Sequence, residues 1–96
     1  MYKSKLMTED TMAFFNAILS LETPEECCRF FEDVATIGEV QSMAQRLQVA
    51  KLLNKGLKYA EIAEKTGAST ATISRVSRCL GYGADGYKIV LERMQK

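Results

Sequence analysis

The chain of 96 residues contains no histidine. That absence removes the commonest acid–base side chain and argues against an enzyme. A glycine-rich phosphate loop is also missing. No apolar run reaches the roughly 18 residues that a membrane span requires, so no span is expected. The opening residues, MYKSKLMTEDTM, lack the continuous apolar core of a secretory signal, which points to a cytoplasmic protein. Cysteine is scarce. Cys27, Cys28 and Cys79 have no metal-ligand spacing, so neither a metal site nor a metal cofactor is expected. Their odd number suggests a reducing compartment and thiols placed in the core, with a redox switch at the adjacent pair as the alternative. There is no strand pattern, no internal repeat, no low-complexity segment and no long linker. These exclusions leave one all-α domain over residues 1–96.

Charge is small in total and uneven in distribution. The net is +1. Residues 1–40 carry three Lys/Arg against eight Asp/Glu, a net of −5. Residues 41–96 carry ten against four, a net of +6. An acidic half joined to a basic half is the pattern expected when the basic half meets phosphates.

The basic half contains the most informative stretch, YAEIAEKTGASTATISRVSRCL, residues 59–80. It reads as two short helices around a tight turn. The first runs from about Lys58 to Lys65, and Thr66, Gly67 and Ala68 form the turn. Ser69 caps the second helix, which runs to about Cys79. Gly67 stands where the chain leaves the first helix and needs positive φ. Ala63 is small enough to let the helices cross closely. Ile62, Ala68, Ile73 and Val76 are apolar at the positions that pack the pair together.

At about 100° per residue, Ile73, Val76 and Leu80 share one side of the second helix. Ala71, Ser74, Arg75 and Arg78 share the other. Small residues at the N-terminal end let a helix approach base edges, and arginines take phosphate or guanine. The expected contacts to double-stranded DNA are therefore Thr70, Ala71, Thr72 and Ser74 at or near bases. Ser69, Arg75 and Arg78 are expected at phosphate or guanine, with Lys58 and Lys65 on the backbone. The competing reading is a helical hairpin with a solvated polar face that holds another protein.

Four more helices complete the chain. Residues 1–7 form a loose arm, in which Lys3 and Lys5 either reach DNA or are solvated. Thr8 caps a helix to about Leu21, with Glu9 and Asp10 at its positive end. Met12, Phe14, Phe15, Ala17, Ile18 and Leu19 wrap it beyond one stripe, so a second subunit is expected to cover part of it. Thr23 and Glu26 have capping-box spacing around Pro24, opening a helix to about Ala35 with Cys27, Phe30, Phe31 and Val34 on one face. Its acids, Glu25, Glu26, Glu32 and Asp33, read as a solvated face. Thr36 and Glu39 repeat the spacing for a helix from about Gly38 to Lys55, closed by Gly56, with Met43, Leu47, Ala50 and Leu53 apolar. Lys51 and Lys55, near its end, are candidates for DNA backbone. Gly81, Gly83 and Gly86 then punctuate a loop, and Tyr87, Val90, Leu91 and Met94 face inward from a last helix within 86–95. The dimerisation helices are placed at 8–55 and the helix-turn-helix at 58–80.

Residues 36–80, and GASTATISR above all, resemble the core of the Trp repressor superfamily, in its YerC/YecD branch. The resemblance implies a six-helix fold, an intertwined homodimer and a bacterial repressor of amino-acid metabolism genes that binds an operator. It also implies a small-molecule corepressor, an amino-acid-like effector of unknown identity, held by Arg46 and Arg75. In the Trp repressor a glycine follows the second of these arginines and a serine lies nearby. Here Val76 and Cys79 stand in those places, which argues against tryptophan.

Overall fold

The structure, a computed structural model, describes residues 2–95. It contains six helices: α1 (Glu9–Leu19), α2 (Pro24–Val34), α3 (Ile37–Asn54), α4 (Tyr59–Thr66), α5 (Thr70–Tyr82) and α6 (Gly86–Met94). The described residues contain no strand. None of these helices is long and apolar enough to cross a membrane. The chain divides into two compact units, one up to Ile37 and one from Gly38 onward.

The first unit holds α1 and α2. Thr8 caps α1 by accepting from the Thr11 N–H, and Thr23 caps α2 by accepting from the Glu26 N–H at 3.1 Å. The Glu26 carboxylate reaches back to the Glu22 N–H at 2.7 Å, one residue before the cap, so the reciprocal capping expected here is displaced by one position. Phe14 of α1 meets Phe30 of α2 with ring centroids 5.9 Å apart, a tilted contact. Yet neither helix has a buried residue. Half-buried Phe14, Phe15, Ile18, Phe30 and Phe31 alternate with exposed Met12, Leu19 and Val34. The apolar side chains of these two helices thus reach only partial burial among the described residues.

The cysteine expectation is corrected. Cys27, Cys28 and Cys79 are all exposed: α2 has no buried residue beside the pair, and Cys79 lies in the open hollow of Arg75 and Arg78 on α5. Helix α1 also stops at Leu19 rather than Leu21. Ser20 breaks the pattern, its hydroxyl donating to the Ala17 carbonyl at 2.6 Å.

The second unit contains every buried residue among those described. Val49 and Ala50 from α3, Ile62 from α4, Ala68 from the turn, Ile73 and Val76 from α5 and Leu91 from α6 make one core. Burial of this apolar surface is the main force holding the four helices together. Leu47, Leu52, Leu53, Leu57, Ala63, Leu80 and Tyr87 pack around it. Gly56 closes α3 at φ +88, a conformation that L side chains rarely adopt.

Two expectations at the C-terminal end change. Helix α5 continues through Gly81 to Tyr82, so Gly81 is helical and not part of the loop. A glycine within a helix costs about 1 kcal/mol relative to alanine, which is not enough to end it. The stop is Gly83, whose N–H donates to the Cys79 carbonyl at 2.8 Å, and where a β-carbon would collide with that carbonyl. On α6 only Leu91 is buried and Tyr87 is half-buried. Val90 and Met94 are exposed rather than inward-facing, lining open hollows beside α3. Met43 of α3, also expected on an apolar face, is exposed.

Candidate nucleic-acid interface

The site begins with how α5 is held. Ile73 and Val76 are 0% and 1% exposed, and they pin one face of α5 to the core beside Ile62 of α4. The turn between the helices is only Gly67, Ala68 and Ser69. Gly67 adopts φ +73 and its N–H closes α4 on the Ala63 carbonyl at 2.8 Å. At the start of α4 the Glu61 carboxylate accepts from the Lys58 N–H at 3.3 Å, making Lys58 the cap residue.

Ser69 caps α5. Its oxygen accepts from the Thr72 N–H and its hydroxyl donates to Thr72 Oγ1, each at 3.1 Å. The remaining amides of the first turn give this end of the helix partial positive charge, which suits phosphate. Thr70 and Ala71 are exposed, while Thr72 and Ser74 are half-buried against the body of the unit. Arg75 and Arg78 are exposed and, among the described residues, neither makes an ion pair. From Lys65 to Ala84 there is no acidic residue. The outer face of α5 is thus narrow and uncharged at its N-terminal end and cationic further along.

Arg75 and Arg78 line one shallow hollow together with Cys79, Tyr82 and Gly83. Tyr82 is 92% exposed. Sequence reasoning missed it because the helix was expected to end before it. Lys58 and Lys65 are exposed on α4 and its cap. Lys65 lines a second hollow with Gln41, Gln45, Gln48 and Thr66. Lys51 and Lys55 line a third with Leu91 and Met94. Arg46 lies half-buried on α3, where its Nη1 donates to Ser42 Oγ at 2.9 Å.

The model of the Trp repressor protein family matches residues 9–95. The chain belongs to the Trp repressor family. It is 54% identical over 92 residues to the uncharacterized protein YerC of Bacillus subtilis, covering 96% of this chain and 88% of that one. A Trp operon repressor homolog of Chlamydia caviae is 43% identical over 68 residues, covering 70% of this chain and 67% of the relative. Among solved structures, a TrpR-like protein from Eubacterium eligens superposes with a TM-score of 0.92 at 55% identity, covering 97% of this chain and 96% of that one. In this Trp repressor family member α4 and α5 are joined by the three-residue turn 67–69.

Proposed function

We propose that the chain is a sequence-specific DNA-binding regulator of transcription that acts as a homodimer and represses genes of amino-acid metabolism. The observation that carries this reading is the outer face of α5. It presents exposed Thr70, Ala71, Arg75 and Arg78 without any acid, on a helix fixed by two fully buried residues. Major-groove reading needs small side chains at the leading end of the helix and cations where phosphates pass. In this reading exposed Thr70 and Ala71 face bases, and half-buried Thr72 and Ser74 stand near them. Ser69, Arg75 and Arg78 hold phosphate or guanine, and Lys58 and Lys65 hold the backbone.

Dimerisation is supported by the first unit. Helices α1 and α2 carry four phenylalanines and bury nothing within one chain, so a second copy is the natural cover. Two copies related by a two-fold axis would offer two α5 helices to successive major grooves. Arg46 and Arg75 are the groups an amino-acid-like effector would engage, through its carboxylate.

The test is selection of binding sites from a random DNA pool at physiological salt, with and without mixed amino acids. The reading expects a palindrome with half-sites about one helical turn apart. Enrichment only when amino acids are present would assign them as effectors. Weak salt-sensitive binding without enrichment would favour a protein-interaction module instead.

A further inference from the structure

Three hydrogen bonds converge on Thr66, the last residue of α4. Its hydroxyl donates to the Ile62 carbonyl at 2.7 Å, and Oγ1 accepts from the Ala68 N–H at 3.1 Å. Its backbone carbonyl accepts from Nε2 of Gln45, on α3, at 3.2 Å. The first two bonds shape the turn from within. The third ties the turn to a different helix, 21 residues away in sequence.

The need for such a tie follows from how the rest of α5 is held. Apolar contacts of Ile73 and Val76 resist removal of the helix from the core, but they are non-directional and resist small rotations weakly. A hydrogen bond has a preferred length and angle. Thr66 lies four residues before Thr70, so a bond that fixes its carbonyl also fixes the start of α5. Gln45 is half-buried and lines the hollow shared with Lys65 and Thr66, so its amide sits between α3 and the end of α4.

We propose that Gln45 is a positioning residue for DNA reading: through the Thr66 carbonyl it sets the orientation of α5 relative to α3. This rests on the DNA-reading function proposed above. Base contacts depend on orientation far more than phosphate attraction does. Loss of the Gln45 donor should therefore weaken specific binding and leave non-specific binding alone.

The experiment uses the full chain and the duplex enriched by wild-type protein, beside a random-sequence duplex of equal length. Gln45→Met keeps length and removes the N–H donors, whereas Gln45→Lys restores a donor of similar reach. For Gln45→Met the expected result is a roughly three- to tenfold loss on the selected duplex, the range one neutral hydrogen bond spans. Affinity for the random duplex and the salt slope should stay unchanged, and the melting temperature should fall by no more than the few degrees that one lost hydrogen bond implies. In Gln45→Lys the ratio of selected to random affinity should recover. Without DNA, exchange of the Ile73 amide, which donates to the Ser69 carbonyl at 3.0 Å, should quicken in Gln45→Met and recover in Gln45→Lys.

An unchanged ratio in Gln45→Met overturns the proposal, as does equal loss on both duplexes with a lowered melting temperature. The two proposals fail separately. Wild-type protein that prefers no duplex removes the DNA-reading function, whereas a preference indifferent to Gln45 removes only the positioning role.

Discussion

The side chain of Ser69 meets Thr72 twice, accepting its N–H and donating to its Oγ1, each at 3.1 Å. The pair locks the first turn of α5 and holds the Thr72 hydroxyl against the cap. Thr72 is accordingly half-buried while its neighbours Thr70 and Ala71 are exposed. Ser69→Ala should cost about 1 kcal/mol of stability, the usual cost of losing an N-cap. Chemical denaturation measures it. Ser69→Asp should retain most of the stability, because aspartate caps as well as serine. It should nevertheless weaken DNA binding, since it adds a negative charge where the proposed function puts phosphate.

Gly67 and Val76 test the scaffold. Gly67→Ala puts a β-carbon at φ +73, and roughly 1–2 kcal/mol should be lost although no neighbouring atom blocks it. Val76→Ala removes two methyl groups from a fully buried site and should cost about 2 kcal/mol, combining lost transfer energy with a small cavity. Both effects appear as lower denaturation midpoints at an unchanged dependence on denaturant.

Arg78 stands exposed with no ion pair among the described residues, so its charge is available to DNA. Arg78→Ala should lower affinity for any duplex and reduce the salt slope by about 0.9 per lost phosphate contact per subunit. Titration across a series of salt concentrations gives that slope. An unchanged slope would remove Arg78 from the phosphate contacts.

Dimerisation has its own signature. Sedimentation at micromolar concentration should give twice the chain mass of 10.7 kDa. The melting temperature should rise with protein concentration, as mass action requires when association stabilises the fold. Phe30→Ala removes the ring that meets Phe14, and it should shift the protein toward monomer while lowering stability.

Much of this fold was legible in the sequence because its signals are local. Thr8, Thr23 and Ser69 mark helix starts with oxygens that accept amides three residues on. Gly56 and Gly67 mark helix ends that need positive φ. The spacing of Ile62, Ala68, Ile73 and Val76 identified four of the seven core residues around the turn. What stayed hidden depends on distant or absent neighbours. Glycine at 81 does not reveal that the helix passes through it, because the stop lies at Gly83, whose backbone turns extended after its N–H reaches the Cys79 carbonyl. Cys27, Val90 and Met94 look inward-facing by helical spacing, yet periodicity cannot say whether the same chain supplies the cover. No pattern marks Gln45, since an amide that reaches a carbonyl 21 residues away leaves no spacing to recognise.

The most direct test of the central claim, that α5 reads DNA, is Ala71→Glu on the selected duplex. Ala71 is exposed at the leading end of α5, so the substitution should leave the circular dichroism spectrum, the oligomeric state and the melting temperature unaltered. A carboxylate there would face base edges and phosphates without a partner, and at least a hundredfold loss of affinity is expected, about 2.7 kcal/mol or more. A folded Ala71→Glu protein that binds the duplex as tightly as wild type would contradict the account, because α5 would then not enter the groove.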